Sequence, residues 1–161
     1  MAASLSSTFS LTPVGDKEIV IKRQFNAPRD LVFKACSSCE HLMKWLGPCF
    51  LTMVDCEMDF RVGGKYRYVQ RAPDGTEYAF RGEYREIDPP QRMVQTFEFE
   101  AMAGHIAEET FTLDEMDGRT QLTVVAVYMS AEDREGIIQS GMEAGVKESY
   151  DRLEEYLTAL G

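Results

Sequence analysis

Between Phe50 and Met129 apolar side chains recur at every second position, in short runs separated by turn residues; after Ser130 they recur at helical spacing instead. A period of two is the signature of a half-buried strand and a period near 3.6 that of an amphipathic helix. The order therefore predicts a run of about six antiparallel strands followed by one long C-terminal helix, an α+β arrangement. Turn chemistry divides the strands. Pro73-Asp74-Gly75-Thr76 and Asp117-Gly118 suit hairpins because Asp-Gly tolerates positive φ, and Pro89-Pro90 cannot continue a ladder. The alternation places Tyr66, Tyr68 and Gln70 on one face, with Tyr78, Phe80, Gly82 and Tyr84. Met93, Gln95, Phe97 and Phe99 join them, then Glu109, Phe111 and Leu113, and finally Leu122, Val124, Ala126 and Tyr128.

Ahead of this block, Ile19, Ile21 and Phe25 share the parity of a first strand. Asn26 and Pro28 then open a short helix through Leu31, Val32 and Ala35, and a second short helix runs from about Cys39 to Leu46, where Gly47-Pro48 stops it. At the other end, Ser130 with Asp133 resembles a capping box. The stripe Ile138, Met142, Val146, Leu153, Leu157 and Leu160 follows, with Gly141 and Gly145 on or near it. Each glycine costs about 1 kcal/mol against alanine in a helix, so the sequence predicts close approach to the sheet there, or a kink.

Residues 1–15 are expected to be a disordered N-terminal extension and residues 16–161 one domain. The Ser/Thr-rich start lacks the basic residues and apolar run of a secretory signal, and no apolar stretch is long enough for a membrane span. Seventeen basic against 27 acidic residues give a net charge of −10, which repels nucleic acid and anionic lipid. Cys36, Cys39, Cys49 and Cys56 are expected as reduced thiols in a cytoplasmic protein. Cys36-Ser-Ser-Cys39, with His41, lacks both the βαβ setting of a redox site and the second close pair of a structural zinc site, so no metal and no cofactor are expected.

Several runs together resemble one family. They are Phe25 to Phe33, Glu40-His41-Leu42 with Trp45 and Gly47-Pro48, Gly63 to Tyr68, Pro73-Asp74-Gly75, and Phe80 to Ile87. Pro89 to Met93, Thr120 to Thr123, Gly141 to Gly145 and Tyr150 to Leu153 continue the set. It is similar to the SRPBCC superfamily, also called START-like or helix-grip, and within it to the AHSA family, named for activators of the heat-shock chaperone ATPase. The resemblance spans about Lys17 to Leu160. It implies a curved antiparallel sheet wrapped around the long C-terminal helix, two short helices after the first strand, and a hydrophobic cavity between sheet and helix. It does not imply one chemistry. Three departures alter the cavity. Leu46 and Val146 stand where relatives carry aromatics, which makes room, and Gln70 and Gln95 stand where apolar residues are usual, which makes it partly polar.

A packed core tolerates few unpaired polar groups, whereas a cavity lets ligand or water pair with them. The candidate ligand-binding residues are therefore Trp45, Tyr66, Tyr68, Gln70, Tyr78, Phe80, Tyr84, Gln95, Phe97, Phe99, Glu109, Phe111, Met142 and Val146. The expected partner is a small hydrophobic or amphipathic molecule. Against this stand a protein-binding module working with a heat-shock chaperone, and a cofactor-independent cyclase or hydrolase using Glu109 or a tyrosine. Binding rather than catalysis is expected: His41 and His105 belong to no nucleophile motif, and Glu108 and Glu109 face opposite sides of their strand. For Glu109 a solvated or salt-bridged carboxylate is expected. Arg67, Arg71, Arg81 and Arg85 fall on the outer sheet face among acids, and a homodimer is the expected assembly.

Overall fold

The computed structural model describes residues 8–160. Eight strands form one sheet: β1 (Ser10–Val14), β2 (Glu18–Phe25), β3 (Thr52–Met58), β4 (Lys65–Arg71), β5 (Glu77–Asp88), β6 (Arg92–Phe99), β7 (Ile106–Met116) and β8 (Arg119–Val127). Every neighbouring pair is antiparallel, in the order β1-β2-β8-β7-β6-β5-β4-β3. Helices α1 (Arg29–Ala35) and α2 (Cys39–Trp45) follow β2, and α3 (Ala131–Gln139) and α4 (Met142–Leu160) end the chain. The α+β helix-grip arrangement is as expected, with six strands between the two helix pairs.

The core lies between the sheet and α4. Ile19, Ile21 and Phe25 of β2, Leu122, Val124 and Ala126 of β8, and Leu113 of β7 are buried at the parity that the sequence indicates. Tyr150, Leu153 and Leu157 of α4 meet this face, with the Tyr150 ring edge-on to Phe25 at 5.8 Å. Trp45 is 3% exposed and its indole donates to the Ala35 carbonyl at 2.9 Å, which fixes α2 against α1. Arg23 shares the inward parity of Ile21 and Phe25; it is 1% exposed and donates to Asp151 of α4 at 2.7 Å. Lys147 reaches the other Asp151 oxygen at 2.9 Å. An ion pair with one buried member thus locks helix to sheet.

The opposite sheet face is laced with charge, as the arginine parity implies. Arg67 pairs with Glu100, Arg71 with Glu77, Arg81 with Glu98 and Arg92 with Glu86, all within 3.0 Å. Exposed pairs like these add little stability; their main consequence is a solvated outer wall.

Three expectations need correction. Residues 1–15 are not a disordered extension throughout: Ser10–Val14 is strand β1, in register with β2 from Ser10 opposite Lys22 to Val14 opposite Glu18. Backbone pairing orders a segment that buries almost nothing, so no alternation announced it. Residues 1–7 lie outside the described residues. The single C-terminal helix is broken, because Ser140 ends α3 and Gly141 adopts φ +86 before α4 begins; this is the kink that its glycine allows. Gly145, however, has open space where a side chain would stand, so it serves no close approach. Finally, the four cysteines are not all thiols. Cys39 at the start of α2 and Cys56 in β3 lie 5.8 Å apart at Cα and form a disulfide, while Cys36 and Cys49 are free. Closing a loop of this size contributes about 3 kcal/mol in the chain-entropy account.

Candidate ligand site on the inner face of the sheet

Cross-strand register brings most of the candidate residues into one surface. Tyr68 stands opposite Phe80, Phe80 opposite Phe99, Tyr84 opposite Gln95, Gln95 opposite Glu109, and Met93 opposite Phe111. The rings stack along this face. Tyr68 and Phe80 are 5.4 Å apart, Phe80 and Phe97 5.3 Å, Phe80 and Phe99 5.2 Å, and Tyr78 and Phe99 6.2 Å. Tyr78, Phe80, Phe97 and Phe99 are half-buried and stand outside the buried cluster around Phe25 and Leu153. Aromatic rings left half-covered on the face that carries the helix are what a ligand floor requires. Phe111, Met142 and Val146 are also half-buried but pack against the main core, at its border with this floor.

A polar spot interrupts the rings. The Gln95 amide donates to Glu109 Oε1 at 3.0 Å and lies 3.5 Å from the Tyr66 hydroxyl, which itself donates to the Thr96 carbonyl at 2.6 Å. Glu109 is half-buried and has no salt bridge among the described residues, which corrects the salt-bridged half of the expectation for it. Its outward neighbour Glu108 faces Arg85 instead, at 3.9 Å. Burial among tyrosines pushes the Glu109 carboxyl up to about 7, against a smaller downward pull from the Gln95 hydrogen bond. The Tyr68 and Tyr128 hydroxyls are raised too, first by burial and then by the Glu109 charge beside them.

The stability consequence has a definite sign. A carboxyl raised in the folded state favours its protonated form there, so the penalty for ionising it is absent below about pH 4 and builds as pH rises through 7. Glu109→Gln is therefore expected to be more stable than the wild-type protein at pH 8, by about 2–3 kcal/mol, and nearly equal at pH 4. Thermal unfolding at the two pH values checks this; equal melting temperatures at pH 8 would show that Glu109 is well solvated.

Other candidates belong to the framework. Gln70 is 4% exposed; its amide donates to the Leu46 carbonyl at 3.2 Å and presses on Gly47. It holds the α2–β3 loop and does not face the ring floor as a free polar group. Trp45, Tyr66 and Tyr84 are buried below the surface that a ligand would touch. Tyr128 belongs to this face as well, at the parity of Leu122, Val124 and Ala126. A bulge in β5 between Tyr84 and Glu86 brings Ile87 opposite Met93, a shift that alternation alone does not show.

Two surface hollows lie elsewhere. One of about 460 Å³ sits between α1 and the β5–β6 turn beside Phe33 and Pro90, and one of about 560 Å³ lies beside Phe50 and Arg71. None of the candidate residues lines either. No group of three or more His, Cys, Asp or Glu among the described residues is placed to hold a metal ion. Among the free thiols, burial pushes Cys36 up to about 12, too high for a nucleophile at neutral pH. His41 meets the Tyr156 hydroxyl, and exposed His105 meets Asp133 at 2.8 Å. No helix among the described residues is long and apolar enough to cross a membrane.

Comparison with known proteins agrees with this architecture. The profile of the family described as activator of Hsp90 ATPase homolog 1-like protein matches residues 26–158. A crystal structure from Rhodobacter sphaeroides superposes with a TM-score of 0.88 at 24% identity, over 94% of this chain and 99% of that one. A Mycobacterium smegmatis protein gives 0.81 at 26% identity, over 93% and 98% of the two chains. The AHSA1 protein of Silicibacter pomeroyi gives 0.74 at 21% identity, over 89% and 99%. No curated protein matches the sequence.

Proposed function

We propose that this chain, which belongs to the activator of Hsp90 ATPase homolog 1-like family, binds a small hydrophobic or amphipathic molecule on the inner face of its sheet, under α4. The observation that carries the reading is the half-buried stack of Tyr68, Tyr78, Phe80, Phe97 and Phe99 beside the Gln95–Glu109 pair. The rings supply apolar contact and the pair orients a polar group. Such a division of labour is general for small-molecule sites. The partner is a small molecule rather than nucleic acid, which the net charge of −10 repels.

Native mass spectrometry of the purified protein, with organic extraction, is expected to show a reproducible adduct that is lost on denaturation. The neutral dye Nile red is expected to bind at least tenfold more weakly to Phe80→Ala. Unchanged Nile red binding in both Phe80→Ala and Gln95→Leu, together with a clean apo mass, would remove the site.

The family's name favours a second reading, in which a chaperone is the partner and an exposed protein face is the working surface. Phe50, 61% exposed, and Val54, 39% exposed, supply apolar surface of that kind near Arg71. The two readings separate on Gln95→Leu, which weakens small-molecule binding under the first and leaves chaperone capture intact under the second.

A further inference from the structure

Among the described residues neither Glu109 nor the buried Glu154 has a salt-bridge partner; Glu154 accepts from the Asn26 N–H at 3.1 Å, and its Oε2 has no hydrogen bond. Arg23, Asp151 and Lys147 satisfy one another at 2.7 and 2.9 Å. Glu109 has only the Gln95 amide on Oε1; among the described residues no hydrogen bond reaches its Oε2 and no cation lies within salt-bridge distance. The hydroxyls of Tyr66, Tyr68 and Tyr128 lie near enough to feel its charge, and the Phe80–Phe97–Phe99 floor begins beside the Tyr68 ring. A carboxylate set among aromatic faces without a counter-ion lacks one component, a positive charge. Ring faces attract cations as well, by about 0.5–2 kcal/mol each. The net charge of −10 draws cations toward the molecule and repels fatty acids and phosphates.

We propose that the ligand of this site is an amphipathic amine, its ammonium held by Glu109 between tyrosine rings and its apolar body lying on Phe80, Phe97 and Phe99. This assignment rests on the inner-face site proposed above and names its ligand class. Above pH 7 it disfavours ligands whose polar end is a carboxylate or phosphate, because these would meet the ionised Glu109.

A pH signature follows. The groups around Glu109 are Tyr66 and Tyr68 from β4, Gln95 from β6, Tyr128 after β8 and Tyr150 from α4, with Tyr84 of β5 beyond Gln95. The tyrosine hydroxyls among them are all raised above their ordinary range by burial, so they stay neutral through pH 8. Only Glu109, at about 7, changes charge near neutrality. Its ionised fraction rises from about one tenth at pH 6 to about nine tenths at pH 8, so a permanently cationic ligand gains about tenfold in affinity across that interval.

Isothermal titration calorimetry with decyltrimethylammonium, decanol and decanoate, each below its micelle-forming concentration, tests the assignment. With the wild-type protein at pH 8 the ammonium is expected to bind at least tenfold more tightly than decanol, with decanoate weakest. Its affinity should fall about tenfold at pH 6. Glu109→Gln should bring the ammonium-to-decanol ratio near one. Decanol binding as tightly as the ammonium, or a preference that survives in Glu109→Gln, would overturn the amine while leaving the inner-face site standing. The pH comparison needs no variant, and a flat profile would count equally against it. Failure of all three probes to bind would remove the site, and the amine with it.

Discussion

Gly82→Ala is expected to lose about 3 kcal/mol of stability, which at a urea slope near 2 kcal/mol/M lowers the unfolding midpoint by about 1.5 M. Gly82 sits in β5 directly opposite Tyr66 of β4. A Cβ at this position would stand 2.0 Å from the Thr96 carbonyl oxygen and 2.5 Å from the Tyr66 ring. Neither neighbour is a flexible tip. The carbonyl is backbone of β6 and already accepts the Tyr66 hydroxyl, and the ring is buried at 5% exposure. A methyl group therefore has to push strands apart or expel the ring, and an interior packed like an organic crystal offers little slack for either. The damage reaches the site as well, because the displaced hydroxyl leaves Gln95. A variant within about 0.5 kcal/mol of wild type would show that β5 and β6 can separate locally at little cost.

Asp151→Ala is the second large effect, expected at about 2–3 kcal/mol. Removing one member of a fully buried pair costs about 3–5 kcal/mol because the other charge is stranded; here Arg23 is 1% exposed but Asp151 is 39% exposed, so part of the cost is lost to solvent. Exchanging both members, Arg23→Met with Asp151→Leu, should recover most of the loss, since the one charge then left without Asp151 is Lys147, which is 38% exposed and can be solvated. The pH dependence follows from Asp151. Burial alone would raise this carboxyl, but hydrogen bonds from Lys147 and Arg23 together with their charges outweigh burial and hold it below the ordinary aspartate range. A depressed folded-state value gives stability that is present above the unfolded value near 3.9 and is lost as pH falls through the folded one. The gap between Asp151→Ala and wild type should thus be full at pH 6 and close in strong acid. Urea unfolding of the single and double variants at pH 6 and pH 3 checks both points, and a double variant no better than the single one would mean that Asp151 acts by some route other than pairing with Arg23.

The inner face was legible because strands carry their environment in their parity. Tyr68, Phe80, Gln95, Phe97, Phe99 and Glu109 share a face in the sequence and in the sheet. What alternation does not encode is a partner arriving from elsewhere. Gln70 has the right parity, yet its amide belongs to the Leu46 carbonyl of a loop 24 residues away. Strand β1 is held by backbone pairing, and its side chains, with Pro13 among them, show no pattern to read. The Cys39–Cys56 bridge depends on where α2 meets β3, which no spacing rule expresses. Glu109 shows both limits: its direction was readable, but the absence of a cation beside it is a property of the folded surroundings.

Among the described residues the sheet does not close on itself, so β1 and β3 each leave a row of backbone donors and acceptors without a neighbouring strand. Open edges of that kind invite other chains to add on. Here each edge is blunted in its own way. Pro13 removes a donor near the end of β1, and β3 is kinked by an irregularity between Met53 and Asp55 and presents the exposed carboxylates of Asp55 and Glu57. Like charge would meet like charge if two copies of β3 approached. Self-association by sheet extension is disfavoured on both sides, so a second copy of the chain would have to dock through its helices or its outer wall.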